Sequence, residues 1–339
     1  MKYLFLSLLL IPTLFVQPLK AQDSDVRSLI EQGIAAHDNK AYDEAIASYK
    51  KALELSPNSS LIHYELSLSY FAKGDYETCI LHADTVIGNN GKHLTAAHLT
   101  KGSALDMLGK TSESIKLLKK AIKKDKKEHL LRYNLAVNYF KLGALEDAEE
   151  MLIATINIEK NHASSHLLLA RLQNKQQQTI PTLLASYYFL LLEPNSARSE
   201  LAHEFIQSNF GANVKADKSN PDQINITLPE VGTGPFSSAE LMLAMIAATN
   251  EISENKEKTT DSLFIDNSRS IFKMLHELKE KKDKGIWWDF YIPFFYQLVN
   301  SNHFKTFCMY ISSQRSETAN EWLANNPEAV DNLFQWLNK

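Results

Sequence analysis

Between residues 26 and 196 the apolar side chains come in short stretches of helical spacing, two stretches to a period. One period carries Leu61, Tyr64, Leu68 and Phe71, then Tyr76, Ile80, Ala83, Val86 and Ile87, each set falling on one face of a 3.6-residue helix. The pattern returns along the chain. Aligning Tyr42, Tyr76, Thr111, Leu145 and Thr179 gives steps of 34, 35, 34 and 34 residues, and Ala45, Cys79, Ser114, Ala148 and Thr182 keep the same step. This predicts five helix pairs over residues 26–59, 60–93, 95–128, 129–162 and 163–196, with Leu94 as one inserted residue.

The punctuation fits helix pairs. Gly74, Gly109 and Gly143 stand between the two stretches of their periods, where a helix ends in a left-handed residue. The first period places Asn39 and Lys40 there, and asparagine tolerates that conformation better than most residues. Small residues mark where paired helices must approach closest: Gly33, Gly102, Ala136 and Ala170 on the first helix, and Ala45, Cys79, Ser114 and Ala148 on the second. Pro57 and Pro194 stop the second helix, and Pro181 is expected to interrupt the last one near its start.

The stretch Tyr42-Asp43-Glu44-Ala45-Ile46 through Tyr49, Ala52-Leu53-Glu54-Leu55 and Pro57-Asn58 resembles the second helix of a tetratricopeptide repeat. Gly33 and the glycine-ended helices leading to Gly74 and Gly143 match as well, and the resemblance covers residues 26–196, half of the chain. It is strongest in periods one, two and four. It weakens in period five, where Phe189 replaces the usual alanine. The resemblance implies an all-α fold, a right-handed α-solenoid of about five such helix pairs, whose first helices line a concave groove that binds a protein or peptide.

The residues expected to face that groove are Leu61, Tyr64, Leu68 and Phe71 in period two, and Leu130, Tyr133, Val137 and Phe140 in period four. Period three offers Leu99, Ser103, Asp106 and Met107, and the ends are more polar, with Arg27, His37 and Asp38 at one and Arg171, Asn174 and Lys175 at the other. Relatives that grip acidic chaperone C-termini use asparagine and lysine on this face. Here the ninth positions are Ile34, Leu68, Ser103, Val137 and Arg171, so that carboxylate clamp is absent. Two readings of the aromatic stripe stand side by side at this stage, a partner-binding groove and inter-repeat core.

Beyond residue 196 the period is lost. Residues 197–210 form an amphipathic helix suited to closing the end of an array. Residues 212–236 are rich in proline and glycine and constitute a linker, with an isolated strand predicted near Ile224. Residues 237–339 are expected to form a small, separate helical domain. Helices are predicted from Ser237 or Ser238, from Asp261, from Glu317 and, capped by Asn326, from Pro327. Ten aromatic residues crowd 287–310, and their first reading is the core of that domain.

At the N-terminus, Met1 and Lys2 precede an apolar run over residues 3–16, followed by a small-residue site around Ala21 and Gln22. This is the pattern of a secretory signal, expected to leave a mature chain from residue 22 or 23, periplasmic or secreted. The run is too short for a spanning helix, so no stable membrane insertion is expected. The net charge of −4 gives no basic excess for a nucleic-acid partner. Cys79 and Cys308 are too few for a disulfide framework.

No constellation points to catalysis, a metal or a cofactor. His162 and His166 lack a third ligand at fitting spacing, and neither His203-Glu204 nor His276-Glu277 has a zincin's second histidine. The expected function is a non-enzymatic scaffold or adaptor of the cell envelope that binds a protein segment, or the chain's own C-terminal half, in the groove. The alternative is small-molecule or glycan binding or processing by residues 237–339, for which Asp289, His303 and Glu321 are the candidate polar groups.

Overall fold

The computed structural model describes residues 17–210, 214–216, 224–226, 234–250 and 257–338. The apolar run at 3–16 lies outside these. The described chain opens with α1 (Gln17–Asp38), which passes through the expected cleavage position. The five periods then become helix pairs: α1 with α2 (Tyr42–Leu55), α3 (Ser60–Lys73) with α4 (Tyr76–Asn89), α5 (Leu94–Met107) with α6 (Thr111–Lys124), α7 (His129–Lys141) with α8 (Leu145–Ile158), and α9 (Ala163–Lys175) with α10 (Thr179–Leu192). No helix among the described residues is long and apolar enough to cross a membrane. The chain forms two compact units, residues 1–139 and 140–339, divided within the last turn of α7.

In the first unit, consecutive helices pack on one another from α1 to α6. The small-residue columns sit where the spacing put them, with Ala45, Cys79 and Ser114 fully buried. Gly33 shows why size matters there. A Cβ at this position would lie 2.4 Å from Cε1 of Tyr49, a ring that is itself fully buried among Ala45, Leu66 and Ala52. We expect Gly33→Ala to lower stability by about 1–3 kcal/mol, the usual cost of overpacking a filled core. Urea unfolding of the purified protein measures it, and an unchanged midpoint would mean that the first helix pair can splay without loss.

The helix ends follow the glycines, with one correction. Gly74, Gly109 and Gly143 have φ of 90°, 74° and 75°, and their amides or those just after them close onto the last turn. In period one the left-handed residue is Lys40 (φ 63°) rather than Asn39, and in period five it is Gln177 (φ 58°). The bend is set by position in the repeat, so whichever residue occupies it takes the strain.

In the second unit, α8 packs on α9, α9 on α10, and α10 on α11 (Ser199–Phe210). Pro181 does not interrupt α10. It occupies the first turn, where a missing N–H leaves no helical bond unmade. More unexpected is the burial of α10 on every side, from Ile180 through Leu191. Beyond α9 and α11, residues that cover it come from the C-terminal part of the chain, which forms α12 (Ser237–Thr249), α13 (Thr260–Glu277), a π-helix (Trp287–Tyr291) running into α14 (Ile292–Val299), α15 (Phe304–Ser312), α16 (Glu317–Asn325) and α17 (Pro327–Leu337); α12, α13, the π-helix, α14 and α15 supply them.

The described residues of 237–250 and 257–338 therefore share a core with the fifth repeat instead of forming the separate domain the sequence suggested. The Tyr187 ring packs edge-on to Phe272 (5.0 Å) and Phe295 (6.1 Å), and its hydroxyl bonds to Ser268 Oγ at 2.7 Å. Tyr188 meets Phe290 and Phe294, each at 5.0 Å. Phe272 and Phe295 stack at 4.3 Å. None of the ten aromatics of 287–310 is exposed. Phe189, the departure from the repeat pattern, is fully buried, with the Arg198 guanidinium 5.6 Å from its ring centroid.

Smaller departures are local. Ile224–Ile226 is paired, antiparallel, with Val214–Ala216, so the strand is not isolated. Ser237 bonds back to Gly234 and does not cap α12. The Asn326 amide donates to the Trp322 carbonyl and does not cap α17. The π-helix was not foreseen. Its end is closed by the Ile292 amide on the Trp287 carbonyl, and Pro293, with no N–H, follows.

Candidate functional site

The first helices of the repeats carry the residues expected to face a groove. On α3, the expected residues lie beside the core positions rather than at them. Ile62, Leu66 and Tyr70 are buried, whereas Leu61 is exposed and Tyr64, Leu68 and Phe71 are half-buried. The same holds on α7, where Leu131, Leu135 and Tyr139 are buried and Leu130, Tyr133 and Val137 are half-buried. The apolar stripe is thus a second row beside the core row. Its aromatic members lean on that core: Tyr64 packs on Ala83, Val86 and Ala97, and Phe71 packs edge-on to Tyr76 at 5.5 Å.

Polar groups interrupt the stripe in the first unit. The Tyr64 ring stacks on His93 at 4.9 Å. Glu65 beside it accepts from the Tyr49 hydroxyl at 3.5 Å, and burial holds its carboxyl above the usual range against the pull of His37. His37 bonds to Ser69 Oγ at 2.9 Å. In period three, Asp106 accepts from Thr111 at 2.8 Å, and Met107 is 55% exposed. Ile34 of period one is exposed as well.

In the second unit, Phe140 does not present a bare ring. Arg171 and Lys175 of α9 lie over it at 5.8 and 5.6 Å from the centroid. Asn174 Oδ1 accepts from Asn209 of α11 at 2.9 Å, so the closing helix is fastened to this end. His166, four residues after His162, has both of its ring nitrogens engaged. Nε2–H donates to the Lys160 carbonyl at 2.8 Å, which leaves Nδ1 to accept from the Tyr291 hydroxyl at 2.6 Å. It is fully buried, and that burial lowers its pKa to about 4. The ring is a neutral joint between repeat five and the C-terminal aromatics.

The other candidates are dispersed. Asp289 accepts from the Gly285 amide at 2.9 Å, which holds its carboxyl below the ordinary range, and Lys279 approaches it at 3.6 Å. His303 lies 6.0 Å from the Trp336 ring, and Glu321 is exposed. Cys79 is fully buried, and burial pushes its thiol up to about 12, far from a reactive thiolate.

Residues 33–77 match the family described as TPR repeat, and residues 107–172 the family described as tetratricopeptide repeat. Over those residues the helix pairs are tetratricopeptide repeats, a fold generally used as a non-enzymatic scaffold and commonly for protein–protein interaction. Hsc70-interacting proteins 1 and 2 of Drosophila melanogaster are each 31% identical over 109 residues. That match spans 31% of this chain and 29% of each relative. Among solved structures, pilF of Pseudomonas aeruginosa is 17% identical, covering 56% of this chain and 90% of that one with a TM-score of 0.47. A thermophilic TPR protein of Thermus thermophilus is 16% identical, covering 54% and 99% with a TM-score of 0.46.

Proposed function

We propose that this protein is an exported adaptor of the cell envelope that binds an apolar, extended segment of a protein partner along the first-helix row of its repeats. The observation that carries the reading is the doubled apolar row. Leu61, Tyr64, Leu68, Leu130, Tyr133 and Val137 retain accessible surface although the neighbouring positions already supply the core. Side chains of this kind, repeated along one face, gain when a partner removes them from water. The asparagine and lysine of a carboxylate clamp are missing from this face. Aliphatic and aromatic side chains stand in their place, which favours an apolar segment over an acidic tail.

Site-specific photo-crosslinkers test the reading in the native cell. Probes at Leu61 and Leu68 should give a discrete adduct, and a probe at the exposed Lys120 of α6 should not. Leu61→Ser with Leu68→Ser should abolish the adduct while helical content stays the same. Equal adducts from both faces would discard the groove. Mass spectrometry of the protein from its source should find a mature terminus at Gln22 or Asp23, and an intact Met1 would discard export.

A further inference from the structure

Within the second unit, a cleft of about 920 Å³ opens over Tyr187, between α11, the start of α13 and the junction of α15 with α16. Its size suits a small organic molecule. Tyr187, Phe210 and Phe264 supply aromatic surface, and Ile206 and Leu263 add aliphatic wall. The polar groups around this surface are unusual in sign. Arg315, the one cationic side chain in the lining, is engaged by Glu200 and by Gln207. Asp261 and Glu317 bring two carboxylates, on the first turns of α13 and α16.

Two more buried polar atoms sit in the wall without a partner among the described residues, Nε2 of His203 and Oδ1 of Asn250. His203 is 7% exposed. A buried polar atom left unpaired is an exception that calls for a partner. Carboxylates, the unpaired Asn250 amide oxygen and aromatic faces all favour the same kind of group, a cation or N–H donor on an apolar body.

We propose that this cleft binds a small aromatic amine, its ring against Tyr187, Phe210 and Phe264 and its ammonium group toward Asp261 and Glu317. The site owes nothing to the repeat groove, so a chain defective in partner binding can still hold the ligand. Calorimetry on the full-length mature protein with tryptamine, indole and indole-3-propionate separates charge from shape, since all three share one ring. Tryptamine should saturate at one per chain and bind about tenfold or more tighter than indole-3-propionate. Glu317→Gln should shrink that preference by about fivefold, the worth of one solvated charge at contact. Asn267→Trp, which fills the cleft, should remove binding, and Thr318→Trp at the exposed rim does the same work should the first variant lose helical content. Absence of saturable binding, equal affinity for the amine and the acid, or tryptamine binding untouched by a folded cleft-filling variant would each overturn the proposal.

Discussion

A chain cut at residue 211 should lose its fifth repeat as well as its C-terminal helices. In the intact protein Ile180, Leu183, Leu184, Tyr187, Tyr188, Leu190 and Leu191 are all buried, and much of their cover comes from α13, the π-helix and α15. Each such side chain gains roughly 1.5–3 kcal/mol from burial. Removing the cover exposes a contiguous apolar face of a kind soluble chains seldom tolerate. The fragment 23–211 should therefore aggregate, or exchange its amides rapidly throughout α9 and α10.

The same coupling appears in a point variant. Phe295 is fully buried, stacked on Phe272 and edge-on to Tyr187. Phe295→Ala should cost about 3–5 kcal/mol. Hydrogen exchange should then rise in α10, more than 100 residues earlier in the chain, together with α13 and α14. A fragment 23–211 that is soluble with a protected α10 would mean that the repeats are complete without residues 237–339.

The second large effect is loss of stability in mild acid. His166 and His203 are both buried, and burial, aided at His203 by the nearby Arg315 charge, lowers each pKa from 6.5 to about 4. Between those values the unfolded chain holds a proton on each ring and the folded chain does not. Stability is therefore full above about 6.5 and falls as pH drops toward 4, by up to roughly 3 kcal/mol for each histidine. In the first unit His82, half-buried against His63, shifts in the same direction to about 4. Urea midpoints at pH 7.5, 5.5 and 4.0 measure the slope. A midpoint unchanged from 7.5 to 4.0 would show that these rings are protonated in the folded state.

Much of the repeat architecture was legible because its constraints are local and recur. A period near 34 residues, a small residue at each helix crossing and glycine at three helix ends all act within one repeat, and backbone sterics and close packing dictate them wherever the repeat stands. The separation of a core row from a half-buried row on α3 and α7 also follows from helical spacing, although which neighbour is deeper could be seen only with the next helix in place. The left-handed bends at Lys40 and Gln177 lay beyond sequence reading, since side-chain preference argues against them and the repeat geometry overrides it.

What tertiary structure decided was everything that joins distant segments. Phe189 and Pro181 looked like a repeat array weakening toward its end. In the folded chain they belong to a helix covered on all sides and to its first turn, where neither is a defect. The aromatics of 287–310 declared a core by their number, but not that repeat five shares that core. Nor could any motif have gathered His203, Asn250, Asp261 and Glu317 around one cleft. Helix periodicity fixes which residues share a face, because the rise and turn of a helix are the same everywhere. Which faces meet depends on the fit of whole surfaces, and that information is spread over the chain in no fixed spacing.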